Sequence, residues 1–206
     1  MALHGRMRAM QGQIENQRAG RLKLGAFRGW NAGEPILILG NGPSLLTYDL
    51  GQWRGLSLGT NRSHRVHQST YHMALEQKYE AGLMKLKCPV FVAGTGWRVG
   101  YECPILSATV TTFSRDMEHG VVIGKGTVGS VVFAAIQLAA YMGASPIYLV
   151  GVDLAGPHFD GTPASKHLTR QNELFALVPK DVEVYAVPPS LSVFPKKEWS
   201  EVIACQ

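Results

Sequence analysis

A chain of 206 residues with 46% apolar and 17% charged residues is long enough for one well-buried domain, too short for two, and too apolar to remain disordered. The net charge of +5 is unevenly placed: residues 1–34 hold Arg6, Arg8, Arg18, Arg21, Lys23 and Arg28 against Glu15 and Glu34, which is +4 of the total, so the other 172 residues are nearly neutral. Cys88, Cys103 and Cys205 are odd in number and lack a paired spacing, which argues against a disulfide framework or zinc cluster and fits a reducing, cytoplasmic setting.

Residues 1–34 read as a basic, helical arm. Such an arm suits packing on the outside of a sheet, and equally contact with nucleic acid, an anionic membrane surface or an acidic partner. It is Arg-rich and acid-poor, as transit peptides are, but it contains Glu15 and lacks a run of serines. It has no apolar stretch long enough for a secretory signal. From residue 35 the pattern changes. Pro35-Ile36-Leu37-Ile38-Leu39 is an unbroken apolar run, predicting a strand buried on both faces of a parallel sheet. Further strands are predicted at 56–60, 70–74 and 89–93, with a helix near 76–86. The stretch 94–119 is rich in Gly, Pro, Thr and Ser around a β-like patch at 108–113, and reads as an insertion over the sheet edge. A buried helix is predicted over 128–142, with Thr127 as N-cap, Gly143 as terminator, and only Ser130 and Gln137 breaking its apolar surface. It is too short to span a membrane. A strand at 146–150, a helix near 166–177 and a last strand at 183–187 follow. The expected fold is α/β: a single Rossmann-like domain over 35–206, its mostly parallel sheet covered by helices on both faces.

The first strand ends in Gly40-Asn41-Gly42-Pro43-Ser44, at the edge where open α/β sheets bind ligands. Gly40 and Gly42 would let the backbone turn and approach a phosphate, while Asn41 and Ser44 would supply side-chain hydrogen bonds. On this reading, replacing Asn41 and Ser44 by alanine abolishes nucleotide binding and leaves the fold intact. Asn61, at the end of the second strand, is placed either for a ribose or base or for an Asx turn, and Arg62 either for phosphate charge or for solvent. Gly124-Lys125-Gly126-Thr127-Val128-Gly129 matches G-x-G-x-x-G, with Val121-Val122-Ile123 before it, a helix after it and Asp153 as the candidate ribose-binding acid. That is the case for NAD or a similar dinucleotide. It is weakened by the short preceding apolar run and by the distance from Gly124 to Asp153. The loop 151–167 carries Asp153, His158, Asp160 and His167. Histidine suits proton transfer near neutral pH, so His158 and His167 are candidate bases, with Asp153 a further catalytic candidate. No Asp-x-Asp or His-x-His spacing marks a metal site.

Ile38-Leu39-Gly40-Asn41-Gly42-Pro43-Ser44-Leu45, then Thr60-Asn61-Arg62, then a buried helix running into Ile147-Tyr148-Leu149-Val150-Gly151-Val152-Asp153-Leu154, occur here in order. This order resembles two related groups, the bacterial CMP-sialic-acid-dependent sialyltransferases and the 6-hydroxymethylpterin diphosphokinase-like proteins (domain of unknown function 115). The resemblance spans 35–194 and includes the tail Val184-Tyr185-Ala186-Val187-Pro188-Pro189-Ser190, which is similar to tails of the second group. It implies that Gly40, Asn41, Gly42 and Ser44 contact the nucleotide phosphate and ribose, that Asn61 contacts the nucleotide further out, and that Thr127 and Ser130 border the same pocket. In the sialyltransferases the base is a histidine well downstream of the Gly-x-Asp strand, with tyrosines just after that strand. Here no tyrosine follows Asp153 in the loop, and His158 and His167 come earlier than that base.

The first expectation is therefore a transferase using a nucleotide-activated donor, most readily glycosyl transfer from a nucleotide sugar to an acceptor hydroxyl, with no resident cofactor. A second is Mg²⁺-dependent, ATP-driven pyrophosphoryl transfer to a hydroxymethylpterin-like substrate. A third is a non-enzymatic nucleotide-binding or nucleic-acid-associated module. The donor, the acceptor and the oligomeric state are not legible.

Overall fold

Four apolar residues in a row need cover on both sides, and Ile36–Leu39 receives it. The computed structural model describes residues 24–93, 98, 100–103, 105, 112–122, 130–163 and 171–206. Among them, seven strands form one sheet: β1 Ile36–Leu39, β2 Leu56–Thr60, β3 Tyr71–Ala74, β4 Val90–Ala93, β5 Tyr101–Cys103, β6 Ile147–Val150 and β7 Val184–Ala186. Their order is β5-β4-β3-β2-β1-β6-β7, and every neighbouring pair is parallel. The chain steps outward from β1 to β5, then returns to place β6 on the other side of β1. The β1/β6 junction is therefore the topological switch point, where such sheets open a crevice at their carboxyl edge.

Side chains alternate across the sheet, and each face has its own core. Ile36, Ile38, Ile147 and Leu149 pack on one face with the helix Val131–Tyr141, with Phe27 and with Phe175. Leu37, Leu39, Tyr148 and Val150 pack on the other with Leu45, Leu50, Trp53 and Val202. The expected two-sided α/β sheet is thus present. The helices are α1 Glu80–Leu83, α2 Val131–Tyr141, α3 Gln171–Phe175 and α4 Trp199–Ile203.

Several boundaries differ from expectation. The helix expected near 76–86 is a 3₁₀ turn at Gln77–Tyr79 followed by the single turn α1. Gly82 weakens a helix there, and Pro89 closes the segment. α2 starts later than expected: its N-cap is Ser130, whose hydroxyl accepts the Phe133 N–H at 3.2 Å. Gly143 (φ +78°) ends the following turn as expected. Gln137, buried in α2, accepts N–H bonds from Ser114 and Val122 and donates to the Val122 carbonyl, tying 114–122 to the helix. The patch 108–113 lies outside the described residues up to 111. The strand of that region is β5.

Residues 24–34, which the sequence assigns to the arm, pack against the domain. Gly29, Asn31 and Gly33 donate backbone N–H bonds to the carbonyls of Tyr141, Met142 and Gly143, satisfying the carboxyl end of α2. Phe27 meets Phe91 and Tyr101 edge-on, each at 4.9 Å between ring centroids, and Tyr71 at 6.4 Å. The rest of the arm, 1–23, lies outside the described residues. Among the described residues no helix is long and apolar enough to cross a membrane. Phe27→Ala is expected to cost about 3–5 kcal/mol, because a fully buried ring leaves a cavity among three others. Urea unfolding measures it, and a loss below about 1 kcal/mol would mean that 24–34 is only loosely attached.

Candidate functional site

At the switch point the ends of β1 and β6 come closer than side chains would permit. Gly40 N–H donates to Val150 O at 2.8 Å, and Gly42 N–H donates to Gly151 O at 2.7 Å. A Cβ at Gly40 would overlap the Gly151 carbonyl, and one at Gly42 would lie 2.5 Å from Asp153 Oδ2. Ser44 N–H donates to Asp153 Oδ2 at 2.9 Å, and the Ser44 hydroxyl donates to the other oxygen of the same carboxylate. The Asp153 carboxylate therefore occupies the donors that the sequence reading assigned to a phosphate. The glycines serve the contact between two strands, and Ser44 serves Asp153.

Asn41 is equally committed. Its Nδ2 donates to Thr60 Oγ1 at 3.2 Å, its Oδ1 accepts the Arg62 N–H at 3.0 Å, and its carbonyl accepts the Phe159 N–H at 2.8 Å. One side chain thus fastens the end of β1 to the ends of β2 and of the 151–163 loop.

Outside these braces lies a cavity of about 560 Å³, of the size that takes a drug-sized ligand. Its walls come from the carboxyl ends of β1 (Asn41, Gly42), β2 (Asn61, Arg62), β3 (Glu76, Lys78) and β6 (151–158), and from the start of α2 (Ser130, Val131, Val132). Of the candidate residues, Asn41, Gly42, Asn61, Ser130, Asp153 and His158 share this cavity, whereas Gly40 and Ser44 stand behind its wall. Thr127, His167 and the loop 124–129 lie outside the described residues. Val121, the first residue of the short apolar run before that loop, makes an isolated bridge to Ile105 and joins no strand of the sheet. The strand required before a dinucleotide fingerprint is therefore lacking among the described residues.

Asn61 adopts φ +46°. Its N–H donates to Met73 O, and its carbonyl accepts from His64 Nδ1 at 2.9 Å and His72 Nε2 at 3.0 Å. No Asx turn uses its side chain. Instead Oδ1 is buried with no partner among the described residues, in a residue that lines the cavity, and is an acceptor in want of a donor. Arg62 is not solvated. Its guanidinium pairs with Asp160 at 3.1 Å, bonds Thr162, and lies 5.4 Å from the Tyr79 ring centroid. Asp160 also pairs with Arg65 at 3.0 Å. Lys78, paired with Glu76, adds a second cation. At the start of α2, the first N–H groups have no intrahelical partner by the nature of a helix, and the dipole there favours an anion.

His158 sits on the same wall. Burial is the main cause that lowers its pKa from the ordinary 6.5, with Arg62 adding to it and Asp160 and a hydrogen bond to the Asn41 backbone opposing it. The ring is therefore neutral at pH 7. A neutral imidazole keeps a lone pair on one of its two ring nitrogens. Among the described residues the carboxylates do not fit a Mg²⁺ site: both oxygens of Asp153 are held by Ser44, Glu76 pairs with Lys78, and Asp160 is held by Arg62, Arg65 and Thr162. Among the described residues no group of three His, Cys, Asp or Glu side chains converges as a metal site. Sequence reasoning missed Glu76, Lys78, Tyr79 and Gln171. The first three follow the carboxyl end of β3, two strands from the switch point, and that position was the available signal.

No family model matches the chain, and no curated protein matches it. Solved structures do, among them these two. One is the MAf glycosyltransferase from Magnetospirillum magneticum AMB-1, with 13% identity and a TM-score of 0.52 over 92% of this chain. This chain spans 38% of that protein's length. The other is the sialyltransferase CST-II, solved with a trisaccharide acceptor and CMP, with 14% identity and a TM-score of 0.48 over 77% of this chain and 83% of that one. The likeness to the first is one of fold.

Because Asn41 and Ser44 brace the switch point, alanine at both is expected to destabilise the fold rather than leave it intact. Loss of the hydroxyl–carboxylate bond alone should cost about 1.5–3 kcal/mol. An unchanged melting temperature in Ser44→Ala would contradict this assignment.

Proposed function

We propose that this protein is a transferase for a nucleotide-activated donor, moving a glycosyl group from a nucleotide sugar to an acceptor hydroxyl. The observation that carries the reading is the convergence of four features in one switch-point cavity: an unpaired Asn61 side-chain oxygen, two cations, a helix start and a neutral imidazole. Asn61 would accept a hydrogen bond from a ribose hydroxyl or a base amine. The start of α2, together with Arg62 and Lys78, would hold the phosphate, in place of the glycine loop. His158 would take the proton of the acceptor hydroxyl as its oxygen bonds to the anomeric carbon. The sugar–phosphate bond breaks in the same step, and its electron pair leaves on the phosphate oxygen. Fixed donors and cations aimed at that oxygen stabilise the developing charge, commonly by a few kcal/mol. The fold shared with a glycosyltransferase agrees with this reading. Among the described residues, the carboxylates that line the cavity, Asp153 and Glu76, are engaged by Ser44 and Lys78, which weighs against the pyrophosphokinase alternative.

A melting screen with CMP, UMP, UDP, GDP, ADP, ATP with Mg²⁺, and NAD tests the donor class. A pyrimidine nucleotide at 100 times its Kd, without metal, is expected to add about 2.7 kcal/mol of stability. Stabilisation by ATP with Mg²⁺ alone, or by NAD alone, would sink the glycosyl reading. His158→Ala is expected to lower kcat by roughly 10²–10⁴ while leaving the donor KM nearly unchanged. Since the base must be unprotonated and its pKa lies below the ordinary 6.5, kcat should hold as pH falls to 6.5 and drop only below it. An acid limb centred above 6.5 would remove His158 from the role.

A further inference from the structure

The opposite edge of the sheet carries a second cavity, of about 610 Å³, where the chain enters β1, β2, β3 and β4. Trp30, Leu56, Tyr71 and Leu86 give it aromatic and apolar walls. Three of its lining residues hold buried polar atoms with no hydrogen-bond partner among the described residues: Asn31 Nδ2, Ser69 Oγ and His72 Nδ1. Asn31 and His72 are both 0% exposed. Buried polar atoms are nearly always paired, so three orphans along one cavity call for an occupant that supplies their partners.

Their other bonds say which partners. Asn31 Oδ1 accepts from the Tyr71 hydroxyl at 3.2 Å, so the hydrogens on Nδ2 need an acceptor. His72 Nε2 faces the Asn61 carbonyl and must therefore carry the ring proton. Burial brings the His72 pKa down to about 4, so the ring is neutral near pH 7 and Nδ1 presents a bare lone pair that needs a donor. Ser69 can take either part. Behind the groove wall, a Cβ on Gly59 would lie 2.6 Å from His72 Nδ1 and 2.7 Å from both Ser69 Oγ and Ser63 Oγ, so the glycine keeps these polar atoms uncrowded. Tyr71 and His72 are consecutive in β3 and point to opposite faces, so the groove wraps the sheet edge with Asn31 at one end and the Ser69–His72 pair at the other. Glu34, Arg54 and Lys87 on its lining bring charges of both signs, which gives an ionic ligand little advantage.

We propose that this groove is a second small-molecule site, separate from the nucleotide cavity, for an uncharged aromatic or heteroaromatic compound with a carbonyl acceptor at one end and an N–H or O–H donor at the other. Asn61 is the wall between the two cavities. Its carbonyl is held by His64 and His72, which both line the groove, while its side chain lines the nucleotide cavity.

The probe is 4-hydroxybenzamide, which has that arrangement, with 4-methoxybenzamide as the analogue lacking the hydroxyl donor. Ligand-observed NMR titration of the full chain is expected to give a Kd of about 1 mM or tighter for the first and at least tenfold weaker binding for the second. Leu86→Trp, which fills a half-buried wall position without touching the polar atoms, should abolish binding, and His72→Phe should weaken it about tenfold or more. CMP should not displace the probe. Absence of probe binding, undiminished binding in folded Leu86→Trp, or displacement by CMP would each overturn the proposal. CMP binding measured on the same samples keeps a failure here distinct from a failure of the glycosyl reading.

Discussion

The site depends on the approach of two strand ends that are far apart in sequence. β1 and β6 are neighbours only because the chain reverses its direction of travel across the sheet, and their ends are fastened by Gly40, Gly42 and Ser44 on one side and by Val150, Gly151 and Asp153 on the other. Without Cβ atoms at Gly40 and Gly42, the two backbones close to hydrogen-bonding distance and the Asp153 carboxylate reaches the Ser44 amide. The 151–163 loop is thereby launched along one wall of the cavity. Arg62 and Asn41 then pin the loop's far end through Asp160, Thr162 and Phe159.

Charge in the cavity follows from these braces. Asp153 points back into the β1 turn, so its negative charge is used on two donors of Ser44 and is only 8% exposed. What faces the open space is then the start of α2, Arg62, the Lys78–Glu76 ion pair and the neutral His158. That balance suits an anionic nucleotide better than a metal bound by carboxylates. On the proposed reading, Arg62 would favour the phosphate and, together with burial, keep the imidazole unprotonated.

Much of this was legible in the sequence, for reasons of pattern. β1 and β6 are continuous apolar runs because both of their faces are covered, and the α2 surface is apolar nearly all round because it packs against three central strands. β5 was missed because three residues with an exposed Glu102 in the middle make no run. Thr127 and Ser130 can both cap a helix, and only the bond from Phe133 N–H distinguishes them. The glycines stand out in the sequence, but close approach to a carbonyl and close approach to a phosphate leave the same mark there, and the structure shows the carbonyl contact. Asn61 is marked by its place after β2; of the two imidazoles that hold its carbonyl, His64 follows three residues on in the same turn, whereas His72 depends on the β2–β3 register. The groove at the other edge unites 30–35, 54–56, 64–72 and 86–88, and no spacing along the chain announces it.

Amide chemical-shift mapping during titration with CMP tests the central claim most directly, because it reports where a nucleotide phosphate settles. The expected result is saturable shifts at Asn61, Arg62, Val131, Val132 and 156–158, with the Gly40, Gly42 and Ser44 amides remaining hydrogen-bonded and slow to exchange. Shifts centred on the Gly40–Ser44 amides, with release of Asp153, would contradict the account and return the phosphate to the glycine loop.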